Sequence, residues 1–308
     1  MTDCLRWSGS PGPEGGKIIV RAPAKLNLTL AVYGKRPDGY HDIRSLVVGL
    51  DWYDVLHIEV GQNEGIELQC KDSSIPSDSR NLVWRAAELL AERLKRSADV
   101  SIRLDKQVPP GSGLGGGSSD AAATLFVLNQ LWRAGLDRRS LMQVGAEVGS
   151  DVPLFFNLPA AIISGRGEQV EPVSAGHPFE VLLVLPAVHV STAHVYGNHF
   201  AQPRGKVRKE NGWESLLDQE AESLSKVLFN DLEEATFRTS SPLRTLFDEI
   251  VGLGLEQLRL TGSGSAMFAL FSPLADAKRW ADRIHTRLGV RTWVTRTLTT
   301  NDFESGNI

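Results

Sequence analysis

The chain predicts an α+β protein of two closely joined domains, and three features carry that reading. Strand and helix patterns occur together in both halves of the 308 residues, not in separate blocks. One strand pattern leads through a run of glycines around residue 113 into a helix pattern. No internal sequence repeat is present, which excludes a stacked-repeat architecture. The expected organisation is an N-terminal extension over 1–16, a first domain over 17–178, a second over 179–300 and a tail over 301–308.

In the first half, residues 18–20 and 26–32 read as strands. The second places Leu26, Leu28, Leu30 and Val32 on one face and Lys25, Asn27 and Thr29 on the other. Arg36-Pro-Asp-Gly39 is a turn. Residues 43–50 and 55–60 are further strands. Leu82, Ala86, Leu89, Leu90 and Leu94 predict a helix over 81–95 with one face toward a core. Val100, Ile102 and Leu104 alternate with Ser101, Arg103 and Asp105, a half-buried strand. Beyond the glycines, Leu125, Leu128, Leu131 and Trp132 recur at the spacing of an amphipathic helix, which Gly135 can close. A shorter helix covers 140–148. In the second half, 181–186 is a buried-strand run. The polar stretch 201–214, with Pro203, Gly205 and Gly212, reads as a mobile loop. Helices follow around 216–228 and 242–252, then a strand, turn and strand over 258–271, and a last helix over 275–288.

The most informative segment is Pro109-Pro110-Gly111-Ser112-Gly113-Leu114-Gly115-Gly116-Gly117-Ser118-Ser119-Asp120. Glycines let backbone N–H groups approach a ligand where a side chain would clash. The two serines and the aspartate read as the helix start, and a helix start favours anions. A flexible linker has similar composition, but this run is flanked tightly by regular structure. Gly111-x-Gly113-x-x-Gly116 fits the dinucleotide fingerprint by letter, yet Pro109-Pro110 has no place in that tight strand–turn–helix. No Lys-Ser/Thr follows the glycines, so the Walker pattern fails as well. A phosphate loop of a third type remains.

Composition narrows the classes further. A net charge of −4, with 42% hydrophobic and 23% charged residues, describes an ordinary globular chain. It gives no reason to expect nucleic acid or an anionic membrane surface. Cys4 and Cys70 form no metal pattern, and a reducing, cytoplasmic setting fits them. Residues 1–16 read as a disordered extension, since they carry acids and lack the apolar core of a signal peptide. No stretch is apolar enough to span a bilayer.

Four further places could carry chemistry. A lysine on the polar face of a strand is ordinarily just solvated, but Asn27 and Thr29 share the face of Lys25, so that face can equally line a cleft. Asp151, in Gly149-Ser-Asp-Val-Pro153, is either a turn aspartate or a general base beside the phosphates. Thr261-Gly-Ser-Gly-Ser265 is either a plain hairpin connection or a second backbone surface pressed against a substrate. Tyr40 and His41 are either surface residues or a ring and a ring nitrogen able to stack on and hydrogen-bond a flat base. The histidines show no ligand spacing, so no protein-built metal site is expected; any Mg²⁺ would arrive with a nucleotide.

In this order, these pieces resemble the GHMP kinase superfamily, which contains galactokinase, homoserine kinase, mevalonate kinase and phosphomevalonate kinase. The resemblance rests on Pro23-Ala-Lys-Leu-Asn-Leu28, Arg36-Pro-Asp-Gly-Tyr-His41, Gly113-Leu-Gly-Gly-Gly-Ser-Ser119, Gly149-Ser-Asp-Val-Pro153, Gly165-Arg-Gly-Glu168 and Leu260-Thr-Gly-Ser-Gly264, and spans about 18–298. It implies two domains, the first like domain 2 of ribosomal protein S5 and the second ferredoxin-like, with the substrate cleft between them. Pro-Ala-Lys-Leu-Asn and Gly-Tyr-His point to the branch whose acceptor is 4-diphosphocytidyl-2-C-methyl-D-erythritol. The implied reaction moves the γ-phosphoryl group of ATP to the 2-hydroxyl of that acceptor. Mg²⁺ would come on the nucleotide, and no tightly bound cofactor is implied. Lys25 and Asp151 would be catalytic, with the Lys25 ammonium orienting Asp151 and favouring its ionised form. Residues 109–119 would bind ATP. Asn27, Tyr40, His41, Thr192, Tyr196, Gly262, Ser263 and Gly264 would bind the acceptor. The partners would be small molecules only, with the chain a monomer or weak homodimer. A sister kinase with another acceptor and a non-catalytic nucleotide-binding regulator are the alternatives; the loop context argues against a nicotinamide oxidoreductase.

Overall fold

The structure, a computed structural model, describes residues 7–8, 16–61, 64–199 and 212–304. In chain order the first half contains β1 (Trp7–Ser8), β2 (Lys17–Asn27), β3 (Thr29–Lys35), β4 (His41–Val60), β5 (Ile66–Cys70), α1 (Leu82–Arg93), β6 (Val100–Asp105), α2 (Gly116–Leu131), α3 (Arg138–Val148), a 3-10 turn (Val152–Phe156), β7 (Ala160–Gly165) and β8 (Gln169–Val173). The second half contains β9 (Glu180–Leu185), α4 (Thr192–Gly197), a 3-10 turn (Trp213–Asp218), α5 (Ala221–Ser225), β10 (Phe229–Asn230), α6 (Glu233–Thr239), α7 (Ser241–Gly252), β11 (Arg259–Leu260), β12 (Met267–Phe271), α8 (Leu274–Leu288), β13 (Arg291–Arg296) and α9 (Thr300–Glu304).

The larger sheet has nine strands and is built around β4. Along one edge β4 pairs with β3 over residues 41–44 and then with β2 over 47–59; along the other it pairs with β7 over 43–48 and then with β6 over 55–60, all antiparallel. One long strand therefore serves two sets of neighbours, and the two strands expected over 43–50 and 55–60 are continuous through Asp51-Trp52-Tyr53-Asp54. The single strand expected over 26–32 is instead broken at Leu28. Leu26 and Leu28 join one hydrophobic cluster while Leu30 and Val32 join the other, so the expected common face changes sides at the break.

The smaller sheet, β11-β12-β9-β13, is antiparallel and packs against α8. The halves are sewn together at several places. β10 adds in parallel to β3, extending the larger sheet with second-half residues. The Leu298 N–H donates to the Gly49 carbonyl at 2.9 Å, and the Thr295 hydroxyl to the Asp51 carbonyl at 2.9 Å. Trp52 stacks on Trp293 with ring centroids 5.2 Å apart.

Helix α2 departs from the amphipathic expectation: everything from Ala121 to Asn129 is buried. It is wedged between α1, α3 and the sheet, so apolar residues are needed all round it. It also starts at Gly116, with Gly115 as a left-handed cap and no side-chain capping bond, so Ser118 and Ser119 lie inside the first turn. The helix expected over 216–228 is divided between the Trp213–Asp218 turn and α5. Of the expected extension 1–16, Trp7–Ser8 pair with β2, and 1–6 and 9–15 lie outside the described residues, as do 201–211 of the expected loop and 305–308 of the tail. No described helix is long and apolar enough to cross a membrane.

Candidate active site

A cleft of about 940 Å³ runs between the halves, near the upper end of small-molecule pocket volumes and large enough for two substrates. The glycine run forms one wall. At Gly113, φ is +82° and a methyl group would overlap the Thr261 carbonyl oxygen and lie 3.1 Å from that of Gly264. Only glycine lets the two backbones come this close. The contact is sealed by the Ala266 N–H donating to the Ser112 carbonyl at 3.0 Å. The two glycine turns, far apart in sequence, are thus one surface. At Gly115 a methyl group would lie 2.8 Å from Lys25 Cγ, so the helix start rests on the lysine stem.

Beneath the loop sits a buried ionic triad. Lys106 Nζ lies 2.5 Å from Asp54 Oδ2 and 2.8 Å from Asp120 Oδ2. The other Asp54 oxygen accepts the Gln107 and Val108 N–H groups at 2.6 and 2.9 Å. Two carboxyls share one ammonium, and burial with the neighbouring Asp54 outweighs Lys106 and pushes Asp120 up to about 8. Burial disfavours the Lys106 charge, but Asp120 and Asp54 more than offset that and raise it.

Lys25 lies at the centre of the cleft and is 5% exposed. Its N–H donates to the Leu114 carbonyl at 2.9 Å, and its ammonium donates to Asn27 Oδ1. Asn27 Nδ2 donates to Ser45 Oγ at 2.7 Å, and the Asn27 N–H to Thr261 Oγ1 at 3.1 Å. Burial lowers Lys25 from its ordinary value, and the Asp151 charge acts against that. Asp151 stands just before the Val152–Phe156 turn, without a side-chain capping bond, and lines the same cleft. Gly167 backs it, since a methyl group there would lie 3.3 Å from Asp151 Oδ1.

At the other end are Tyr40, His41 and Tyr196. Tyr40 is 53% exposed, and the Arg166 guanidinium lies 5.0 Å from its ring centre. The His41 and Tyr196 rings are 5.5 Å apart and tilted by 31°. Burial, then the charges of His199 and Lys35, hold His41 below its usual value. Burial and the Asp151 charge raise the Tyr196 hydroxyl. The Thr192 and Ser263 hydroxyls are 2.8 Å apart, joining α4 to the second glycine turn. Asn230 Nδ2 holds that turn from behind through the Leu260 and Gly262 carbonyls at 3.0 and 2.7 Å.

The cleft therefore gathers Lys25, Asp151, Asn27, Tyr40, His41, Thr192, Tyr196, Gly262 and Ser263, with Pro109 to Gly113 and Gly115 to Ser118. Three residues of the expected set lie behind its wall. Leu114 and Ser119 are fully buried, with Leu114 presenting its carbonyl to Lys25, and Gly264 presents its carbonyl to Gly113. Lys35, Leu82, Ser150 and Arg166 line the cleft without having been singled out. For Arg166 a signal was present, because it lies in the quoted Gly165-Arg-Gly-Glu168 motif. Lys35 and Leu82 sit in ordinary strand and helix patterns that carry no such mark.

Comparison with known proteins gives the family and the fold. The GHMP kinases N terminal domain matches residues 81–165, and the GHMP kinases C terminal domain matches 213–289. A 4-diphosphocytidyl-2-C-methyl-D-erythritol kinase of Brevibacillus brevis is 39% identical over 264 residues, covering 85% of this chain and 90% of its own length. The crystal structure of a 4-(cytidine 5'-diphospho)-2C-methyl-D-erythritol kinase superposes with a TM-score of 0.74 at 31% identity, over 91% of this chain and 98% of the other. A homoserine kinase from Cytophaga hutchinsonii shares the fold, with a TM-score of 0.69 at 17% identity over 92% of this chain and 95% of its own.

Proposed function

The chain belongs to the GHMP kinases, among the 4-diphosphocytidyl-2-C-methyl-D-erythritol kinases, and on that premise we propose how its cleft performs the reaction. The activity is ATP-dependent phosphorylation of 4-diphosphocytidyl-2-C-methyl-D-erythritol in the non-mevalonate route to isoprenoids. The γ-phosphoryl group passes to the 2-hydroxyl of the acceptor, and ADP leaves.

Phosphoryl transfer depends mainly on positioning and charge neutralisation. The exposed part of the glycine loop and the start of the 16-residue helix α2 would hold the ATP phosphates, because their N–H groups and the helix dipole favour anions. Asp151 would accept the proton of the attacking 2-hydroxyl as the new O–P bond forms and the bond to the β-phosphate breaks. Lys25, fixed by Asn27 and Gly115, would orient Asp151 and stabilise charge at the point of transfer. Tyr40, His41 and Tyr196 would hold the cytosine, with Thr192 and the 262–264 turn closing the acceptor side. Among the described residues lining the cleft Asp151 is the one carboxylate, so a Mg²⁺ ion would be held chiefly by phosphate oxygens and water. When bound it neutralises charge on the transferring group.

Residues 17–178 would supply the ATP half and 179–300 the remainder of the acceptor half. A monomer or weak homodimer in the cytoplasm, with no nucleic-acid or membrane partner, completes the proposal; the net charge of −4 supports it, since it disfavours polyanionic partners.

The observation that carries the reading is the position of Lys25 and Asp151, with a phosphate loop on one side and an aromatic base pocket on the other. ADP release should be fast with 4-diphosphocytidyl-2-C-methyl-D-erythritol and near background with mevalonate or homoserine. Comparable turnover of all three acceptors would refute the role given to Tyr40 and His41.

A further inference from the structure

We infer that Arg166 is the cation that binds the diphosphate of the acceptor, joining recognition of the base to placement of the hydroxyl. This rests on the reading that cytosine lies at Tyr40 and His41 and that transfer occurs at Asp151.

Arg166 stands between those two places. Its guanidinium carbon is 5.0 Å from the Tyr40 ring centre, leaving the exposed side of that ring for a base. The next residue, Gly167, abuts the Asp151 carboxylate. A cytidine diphosphate ester has its diphosphate between the base end and the alcohol that is phosphorylated. An acceptor reaching from Tyr40 to Asp151 must therefore lay two phosphates along the stretch that Arg166 occupies.

The side chain is placed and available. Glu168 Oε2 accepts the Arg166 N–H at 2.6 Å, which fixes the backbone. Its nearest approach to the guanidinium is 3.9 Å, at Nε, beyond hydrogen-bond range. The guanidinium is partly exposed, at 31% of its side chain, and makes no hydrogen bond to a described residue. Its planar fork suits two phosphate oxygens at once. The other cations lining the cleft among the described residues are Lys25 and Lys35. Lys25 is committed to Asn27 and Asp151, and Lys35 sits where its charge is felt by His41. Asp38 on the Tyr40 turn also feels Arg166, but it is already bound by the Arg36 guanidinium and the Tyr40 N–H.

The test compares cytidine with CDP by calorimetry, with the ATP half of the cleft filled by saturating ADP. Wild type should bind CDP more tightly than cytidine. Arg166→Met keeps the apolar stem against Tyr40 and should weaken CDP about tenfold or more, the worth of a charge-assisted hydrogen bond, while leaving cytidine within about twofold. Arg166→Lys should recover part of the loss. Equal weakening of both ligands would mean that Arg166 only supports Tyr40, and no weakening of either would mean that it binds nothing; both overturn the inference. Cytidine binding by the variant itself shows that the pocket is intact. Failure of wild type to bind cytidine at all would instead overturn the base-pocket reading beneath it.

Discussion

Gly113 shows how one residue can be read correctly for an incomplete reason. The glycine run is legible as a phosphate loop because glycine lets amide groups reach a ligand. The structure gives Gly113 a second task, since its backbone presses on the Thr261 carbonyl and so joins the loop to the second glycine turn. That contact links residues about 150 positions apart, and nothing in local pattern reports it. Gly113→Ala should force the two turns apart and impose a side chain on a left-handed φ, itself costing roughly 1–2 kcal/mol. A Tm lower by several degrees and a raised KM for ATP are expected from melting curves and steady-state kinetics. Wild-type values for both would show that the two backbones do not meet there. Ser119 carries the complementary lesson: it reads as part of a helix cap, but α2 begins earlier and buries it completely.

At the scale of elements, strong local signals were read well and context-dependent ones were not. The strand Val100–Asp105 alternates cleanly and α1 is capped by Asn81, whose side chain accepts the Val83 N–H at 2.9 Å. The same logic leaves 51–54 outside the two strands expected there, whereas β4 runs through them, with Asp54 buried and tied to Lys106. Short elements such as α4 and α6 have too few residues to show a period. The site residues Lys25 and Asp151 were each ambiguous alone, and it was their order along the chain, together with the Gly-Tyr-His and Pro-Ala-Lys-Leu-Asn motifs, that singled them out. The Asp54–Lys106–Asp120 triad, which fastens β4, the approach to the loop and α2 together, was not legible at all. It makes stability depend on pH. Folded Asp120 keeps a proton until about pH 8 that the unfolded chain releases in the ordinary carboxylate range, so stability falls as pH rises across that window. Asp120→Asn should flatten the fall in Tm between about pH 4 and pH 8. Lys106→Met strands two buried carboxyls and should destabilise by about 3–5 kcal/mol. Parallel pH dependence in wild type and Asp120→Asn would contradict the assignment.

Over the whole molecule, the two sheets meet along β4 and the strand ends near Leu298, and the cleft opens where both glycine turns converge on Lys25. Each half supplies part of the wall: the loop, Lys25, Tyr40, His41 and Asp151 come from the first, and Thr192, Tyr196 and the Gly262–Ser263 turn come from the second. Neither half alone forms the cleft described here. The central claim is that Asp151, beside Lys25 in that cleft, takes the proton of the acceptor hydroxyl. The most direct test is coupled ADP release by Asp151→Asn, with ATP binding measured on the same sample. General-base assistance is worth about 10²–10⁴-fold, so kcat should fall by that order while nucleotide affinity stays near wild type. A variant that turned over at the wild-type rate would contradict the account.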